Sequence, residues 1–305
     1  MAFSGRSCKP GTHPGFTSRP NRTDWWRMTH VWCNGQWLDP LDFSAAATDR
    51  GLTVGLGLFE TILAVDGEPV FAGRHLTRLN EGCRRLGWSL GDYGILETMA
   101  ELIRTNELTT GRARIRLAIS GGSGVSHDLS LGPDHLVWMT AAPVAEAPES
   151  TTANLSPWRR NEHSALAGLK CASYAENLVA LEHAGDLGYE ETVFLNSAGH
   201  LCEAATANVF LVKDGTLFTP PPASGCLPGI TRGIIIELAG KLGIPCREQD
   251  LPEACLHAAD EIFLTSSIRG VMAVSRFVDR NLPPGPVTAR LRDAWHAATR
   301  RKTGA

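Results

Sequence analysis

No stretch of this sequence stays apolar for the roughly 20 residues a membrane helix needs, and neither sign of charge dominates. Lys and Arg total 29 against 32 Asp and Glu, a net charge of −3, which leaves no electrostatic case for nucleic acid or an anionic membrane. No Cys-x-x-Cys pair occurs among the eight cysteines (Cys8, Cys33, Cys83, Cys171, Cys202, Cys226, Cys246 and Cys255). Their scatter suits neither a zinc site nor a disulfide framework. Most sit in apolar surroundings, as in Val31-Trp32-Cys33, where cysteine acts as a small hydrophobe, so a reducing cytoplasm is the simplest compartment. Residues 1–27, rich in Gly, Pro, Ser, Arg and Lys, carry no apolar segment of the secretory-signal kind. They read either as a disordered tail or as the product of a start site placed too early, with Met28 the working start; the second reading is preferred. Internal repeats and low-complexity tracts are absent as well.

What is present is enough apolar material for a sizeable core. At 43% hydrophobic and 20% charged over 305 residues, the chain is sized for one large or two medium domains. Ordered sequence begins near Thr29. His30 to Leu38 reads as strand, Asn34-Gly35 turn and strand. Gly57 to Val65 is a β-prone run that Asp66-Gly67 turns into a strand at Pro69-Val70-Phe71. Amphipathic helices follow over 74–86 and 95–106, then strands over 113–119 and 135–142 around a Gly/Ser loop at 120–124. Pro143 to Thr152 holds two prolines and small polar residues that cannot build a core. This linker, 143–152, separates a smaller domain, 29–142, from a larger one, 153–305. The larger domain reads as strands near 153–157, 191–195, 208–212, 217–219, 246–248, 261–265 and 271–278. Its helices are expected over 174–188, 230–242, 253–257 and 286–300, with Pro220-Pro221-Pro222 as a rigid connector.

Lys170 is the most informative residue. It sits in Leu166-Ala167-Gly168-Leu169-Lys170-Cys171-Ala172, with no charged neighbour. If buried there, its ammonium form is disfavoured and its amine freed as a nucleophile; otherwise it is a surface lysine among apolar neighbours. Glu203, a lone acid between Cys202 and two alanines, reads as a satisfied buried carboxylate, an exposed turn residue, or the partner of a cationic heterocycle. Arg78 is either an ordinary solvent-facing arginine or a fork of donors for a phosphate. Gly229-Ile230-Thr231-Arg232 opens a helix whose free N–H groups suit an anion, although Pro228 and Thr231 are also ordinary helix-start residues. Thr265-Ser266-Ser267 after a strand fits a ligand loop and a simple turn equally well.

In this order the signals resemble the class IV aminotransferases, the fold type IV pyridoxal phosphate enzymes. The resemblance spans nearly all of residues 30–280. It rests on Asp49-Arg50-Gly51, Gly57-Leu58-Phe59-Glu60-Thr61, His75-Leu76-x-Arg78-Leu79, Gly168-Leu169-Lys170, Leu201-Cys202-Glu203 with Asn208-Val209-Phe210, Leu227-Pro228-Gly229-Ile230-Thr231-Arg232 and Leu264-Thr265-Ser266-Ser267. It implies a two-domain fold of α+β and α/β character, like that of D-amino acid aminotransferase, with the site between the domains and a homodimeric assembly. The implied cofactor is pyridoxal 5'-phosphate and the implied partner a small amino substrate. Lys170 would carry the Schiff base and act as general base. Glu203 would hold the pyridinium nitrogen. Arg78, the amides of Ile230 and Thr231, and Ser266 with Ser267 would hold the phosphate. Thr61, on a strand the family uses to line the site, would assist proton transfer.

Within the family, Gly55-Leu56-Gly57-Leu58-Phe59-Glu60-Thr61, Ser156-Pro157-Trp158-Arg159-Arg160 and Ile119-Ser120-Gly121-Gly122-Ser123-Gly124 resemble aminodeoxychorismate lyase, which releases 4-aminobenzoate and pyruvate on the route to folate. That is the preferred specific reading. Pro228 to Arg232 with Leu242-Gly243-Ile244 resembles branched-chain transaminases equally well, and transamination with 2-oxoglutarate is the alternative. Asn106 to Gly111 resembles the D-amino acid group, but Val125-Ser126-His127-Asp128 lacks that group's carboxylate-gripping Arg. Arg159, Arg160 and Arg269 are other candidates for binding a substrate carboxylate. Two other classes fail on motif. Gly55-Leu56-Gly57 has Glu60 where a dinucleotide fingerprint needs a third glycine, and Ser123 does not stand in Gly-x-Ser-x-Gly. A non-enzymatic member of this fold, binding the cofactor or nothing, is a further rival, and a yellow band that borohydride removes is the cheapest discriminator.

Overall fold

The structure is a computed structural model and describes residues 28–125 and 127–300. The tail or early-start reading of residues 1–27 lies outside them. Two sheets divide the described chain. The first contains β1 (Val31–Cys33), β2 (Gln36–Leu38), β3 (Gly57–Val65), β4 (Glu68–Pro69), β5 (Arg112–Ser120) and β6 (Val137–Pro143). Its order is β2-β1-β6-β5-β3-β4, antiparallel throughout. Asn34-Gly35 (φ 46° and 85°) and Asp66-Gly67 (φ 47° and 86°) take the left-handed turns their sequences favour. The strand expected at Pro69-Val70-Phe71 shortens to β4. Phe71 instead takes φ 53° as the residue before a helix and packs on Trp295 with ring centres 5.6 Å apart.

Three helices belong to this half: α1 (Arg50–Thr53), α2 (Ala72–Arg85) and α3 (Ile95–Thr105). His75, Leu79, Gly82 and Cys83 form the buried side of α2, at the spacing of a helix with one apolar face. Leu79 and Cys83 join Leu58 and Ile62 of β3 and Met99 and Leu102 of α3 in one core, where each buried Leu or Ile contributes about 2 kcal/mol.

The chain leaves β6 at Pro143 and enters the second sheet at Ser150, so the expected linker gives its first residue to one sheet and its last three to the other. The second sheet contains β7 (Ser150–Arg160), β8 (Glu191–Asn196), β9 (Leu201–Ala204), β10 (Asn208–Lys213), β11 (Thr216–Thr219), β12 (Cys246–Glu248), β13 (Glu261–Ser266), β14 (Gly270–Phe277) and β15 (Arg280–Asn281). Its order is β12-β11-β10-β13-β14-β7-β8-β9, with β15 on β14. It is mixed: β11/β12, β14/β7 and β7/β8 run parallel. The helices here are α4 (Ala175–Asp186), α5 (Ile230–Lys241), α6 (Ala254–Ala258) and α7 (Pro286–Arg300). Ile234 and Ile235 of α5 meet Leu291 and Trp295 of α7 against Phe210 and Phe263, whose rings stack 4.9 Å apart. Leu256 of α6 lies in a separate core with Val209, Leu211 and Ile262. This two-domain α+β arrangement puts the loop after β7 against the first sheet. Among the described residues no helix is long and apolar enough to cross a membrane.

Candidate active site

Lys170 lies in the loop after β7, and two backbone hydrogen bonds hold that loop to β3. Phe59 N–H donates to the Lys170 carbonyl at 3.0 Å, and Ala172 N–H donates to the Gly57 carbonyl at 2.8 Å. Gly57 has no room for a side chain, since a Cβ there would lie 2.8 Å from the Ile119 carbonyl oxygen. The lysine therefore projects from a fixed backbone. Its Nζ lies 4.4 Å from the centre of the Phe59 ring and 5.3 Å from that of Tyr174. Burial, aided by the positive charges of Arg78 and Arg116 and opposed by Glu60 and Glu203, lowers its pKa to about 8.

Glu203 stands on β9, opposite Phe194 of β8. Its Oε2 accepts the Leu227 N–H at 2.9 Å, and its Oε1 lies 3.7 Å from Nε of Arg160. Burial pushes its carboxyl above the usual range despite Arg160, the Leu227 N–H and Lys170, which all favour the anion.

A second carboxylate, Glu60 of β3, is 1% exposed. It accepts from Arg78 at 2.7 Å (Nε to Oε1) and 2.6 Å (Nη2 to Oε2) and pairs with His75 Nδ1 at 2.7 Å. Burial would raise its pKa, but the hydrogen bonds and charges of His75 and Arg78 overturn that and hold it below the usual carboxylate range. Arg78 also donates to the Pro228 carbonyl at 3.0 Å, and His75 Nε2 lies 3.4 Å from the Ser267 hydroxyl. The Arg78 side of α2 thus meets the start of α5 and the turn after β13. Thr231 and Thr265 there are each 2% exposed, and neither hydroxyl has a hydrogen-bond partner. With the N–H groups of the first turn of α5, these hydroxyls make a set of donors that suits an anion. A cavity of about 280 Å³ opens beside it, walled in part by Phe59, Glu60, Arg78, Lys170 and Pro228.

Arg116 of β5 completes the charged set. Its guanidinium carbon sits 3.5 Å from the centre of the Phe59 ring. Burial, reinforced by Arg114, pulls its pKa down to about 10, and among the described residues no hydrogen bond or ion pair engages it. Thr61 is its register partner on β3 and shares the strand face of Phe59; among the described residues the Thr61 hydroxyl makes no hydrogen bond.

Residues 57–277 match the family described as amino-transferase class IV. The chain belongs to the class IV aminotransferases. It is 32% identical to the branched-chain-amino-acid aminotransferase of Escherichia coli over 88% of this chain and 92% of that one, and a crystal structure of that enzyme superposes with a TM-score of 0.82 at 29% identity, covering 89% and 95% of the two chains. The aminodeoxychorismate lyase of Bacillus subtilis is 27% identical over 82% and 87% of the two chains. A hypothetical aminotransferase of Mycobacterium tuberculosis in its PLP-bound form superposes at 0.79 with 25% identity, over 90% and 99%.

The cofactor of this class IV aminotransferase is pyridoxal 5'-phosphate, and the residues present fit it. The donors at Thr231 and Thr265 suit the phosphate, Glu203 suits a protonated ring nitrogen, and the buried amine of Lys170 suits the aldehyde. Of the residues expected from sequence, the structure links Lys170, Arg78 and Glu203 electrostatically and Arg78 with the start of α5. Ser267 reaches the cluster through His75. Ser266, whose hydroxyl accepts the Arg269 N–H at 3.3 Å, is tied to its own turn. The three arginines suggested for a substrate carboxylate are all engaged elsewhere. Arg159 donates to the Asn196 carbonyl at 3.2 Å, Arg160 pairs with Glu176, and Arg269 pairs with Glu191 at 2.6 Å. Glu60, His75 and Arg116 were not singled out from sequence. Glu60 carried a usable signal, because a lone acid in the β-prone run 57–65 needs a buried partner. His75 was visible only as part of a motif.

Proposed function

We propose that this enzyme is a transaminase that moves the amino group of an amino acid to a 2-oxo acid such as 2-oxoglutarate, with branched-chain substrates the first class to test. The observation that carries this reading is the likeness to the E. coli branched-chain enzyme, 32% over 88% of the chain, against 27% over 82% for the B. subtilis lyase. In this reading Lys170 holds the cofactor as a Schiff base, Glu203 faces the ring nitrogen, and Arg78, the amides of Ile230 and Thr231, and Ser266 with Ser267 hold the phosphate. The bound ring supplies an electron sink that acidifies the α-proton of an attached amino acid. Nζ of Lys170, whose pKa burial lowers to about 8, takes and returns that proton, with Thr61 in a supporting role. Arg116 lies on the Phe59 side of Lys170, without an ion pair among the described residues, and pairs with the substrate carboxylate. Phe59 and Tyr174 keep water from the amine.

The lyase chemistry that the Gly55-to-Thr61 motif favours is the second reading. One preparation decides between them. Amino acids of L, D and branched types with 2-oxoglutarate should show amino transfer, and aminodeoxychorismate should yield little 4-aminobenzoate. Release of 4-aminobenzoate without amino transfer would reverse the assignment.

The smaller domain 29–142 and the larger 153–305, joined through 143–152, are proposed as the two walls of the site. A homodimer is proposed as the working form. The apolar side chains Leu52 and Val54 by α1 and Leu178 and Val179 on α4 are 55–69% exposed, and they flank the point where the Ser173 hydroxyl donates to the Gly55 carbonyl at 3.2 Å. The cysteines among the described residues are all free, which accords with the cytoplasm as the proposed compartment.

A further inference from the structure

Arg160 ends β7, and Glu176 stands in the first turn of α4. They form an ion pair through Nη1 of Arg160. The guanidinium also lies over the Phe194 ring, its carbon 4.2 Å from the ring centre. Its Nε is buried without a hydrogen-bond partner and faces Oε1 of Glu203 at 3.7 Å. That separation is too long for a hydrogen bond, yet Coulomb coupling there is substantial, because little water screens it. The other Glu203 oxygen is taken by the Leu227 N–H. Arg160 therefore faces the one oxygen left for a ligand.

We propose that Arg160 and Glu176 form an opposed pair of positioning residues that sets how readily Glu203 takes up a proton, with Arg160 holding the carboxylate ionised and Glu176 weakening that hold by neutralising Arg160. This rests on the reading above in which Glu203 faces the cofactor's ring nitrogen. A buried carboxyl tends to become neutral, and a neutral Glu203 cannot keep a proton on the ring. A cation beside it prevents that. Glu176 partly neutralises that cation and so leaves Glu203 a stronger base toward the shared proton.

Other charged or titratable groups face Glu203 from several elements. Lys170, in the loop after β7, favours the anion as Arg160 does, whereas Glu176 opposes it. Tyr174, with its pKa raised to about 12, Cys226, raised to about 11, and Cys202, raised further, are neutral at physiological pH. Arg160 and Glu176 are thus an adjustable charge pair that the proposed steps at Lys170 leave unused.

The test uses the full chain carrying ¹³C at the glutamate side-chain carboxyl, with the Glu203 signal assigned by its loss in Glu203→Gln. In cofactor-free protein, Arg160→Met should raise the Glu203 titration midpoint by about one to three pH units, and Arg160→Lys should restore most of it. Glu176→Gln should lower the midpoint. The Glu176 side chain is 50% exposed, so its removal threatens folding little, and this variant decides the matter even if Arg160→Met fails to fold. Midpoints that stay put or move in the same direction overturn the proposal, since loss of a merely structural contact would not give opposite signs. In the holoenzyme with a ¹⁵N-labelled ring, Arg160→Met should move the nitrogen signal toward neutral pyridine and Glu176→Gln toward pyridinium. Opposite shifts in the cofactor-free protein with a silent ring signal would uphold the pair and instead overturn the placement of the ring at Glu203.

Discussion

The amine of Lys170 lies 4.4 Å from the centre of the Phe59 ring, held there by a backbone hydrogen bond between the same two residues, Phe59 N–H to Lys170 carbonyl, at 3.0 Å. One contact sets the backbone and the other shelters the amine, so the low pKa of Lys170 is built into the fold. In cofactor-free protein, folded Lys170 loses its proton near pH 8, while the unfolded chain keeps it to about 10.5. Between those values the unfolded state binds more protons, so stability rises with pH, by at most about 3 kcal/mol. Buried thiols such as Cys83, Cys202 and Cys226, which burial pushes up, contribute the opposite slope, so the rise is read as a difference: from pH 8 to pH 10 the urea midpoint of the wild type should gain on that of Lys170→Met.

Glu60 ties α2 to β3 through two cations. Glu60→Gln leaves Arg78 and His75 without their anion in a buried setting and should cost about 3 kcal/mol or more. Its depressed pKa gives stability that is present above the ordinary carboxylate range and lost as pH falls through the lowered value. Acid unfolding curves of the variant should lose that part of their pH dependence.

Thr231 separates stability from ligand binding. Its buried hydroxyl has no partner, so Thr231→Val should leave the cofactor-free protein as stable or more so. The same change should weaken pyridoxal phosphate binding by about 1 kcal/mol, roughly fivefold in Kd. Melting curves and visible titration measure the two effects on one sample.

Arg116→Met should leave the visible band of the bound cofactor in place and reduce kcat/KM for amino acids by about 10- to 100-fold, the worth of a charged hydrogen bond. An amine lacking the carboxylate should be nearly indifferent to the change.

Much of this site was legible because the chemistry is local. Lys170 in an apolar run, Glu203 between small residues and the helix start at Ile230 each stand out within a few positions. Residues whose meaning depends on tertiary burial did not. Arg112, Arg114 and Arg116 alternate with Ala113, Ile115 and Leu117, the pattern of a strand with one wet face, but Arg116 lies over the Phe59 ring. In β3 nearly every residue is buried, so alternation could not assign Glu60 to the α2 side and Phe59 to the Lys170 side. Arg160 and Arg269 seemed free to meet a substrate because Glu176 and Glu191 lie 16 and 78 residues away in sequence. The short strand β9, which carries Glu203, was missed because four residues in a turn-rich segment give no periodicity to read.

Only five lysines occur in the chain: Lys9, Lys170, Lys213, Lys241 and Lys302. This makes the central claim open to a direct measurement. The holoenzyme is reduced with borohydride, digested and analysed by mass spectrometry. The account predicts a phosphopyridoxyl group on the peptide containing Lys170 and bleaching of the yellow band. A label on any other lysine, or on none, would contradict it.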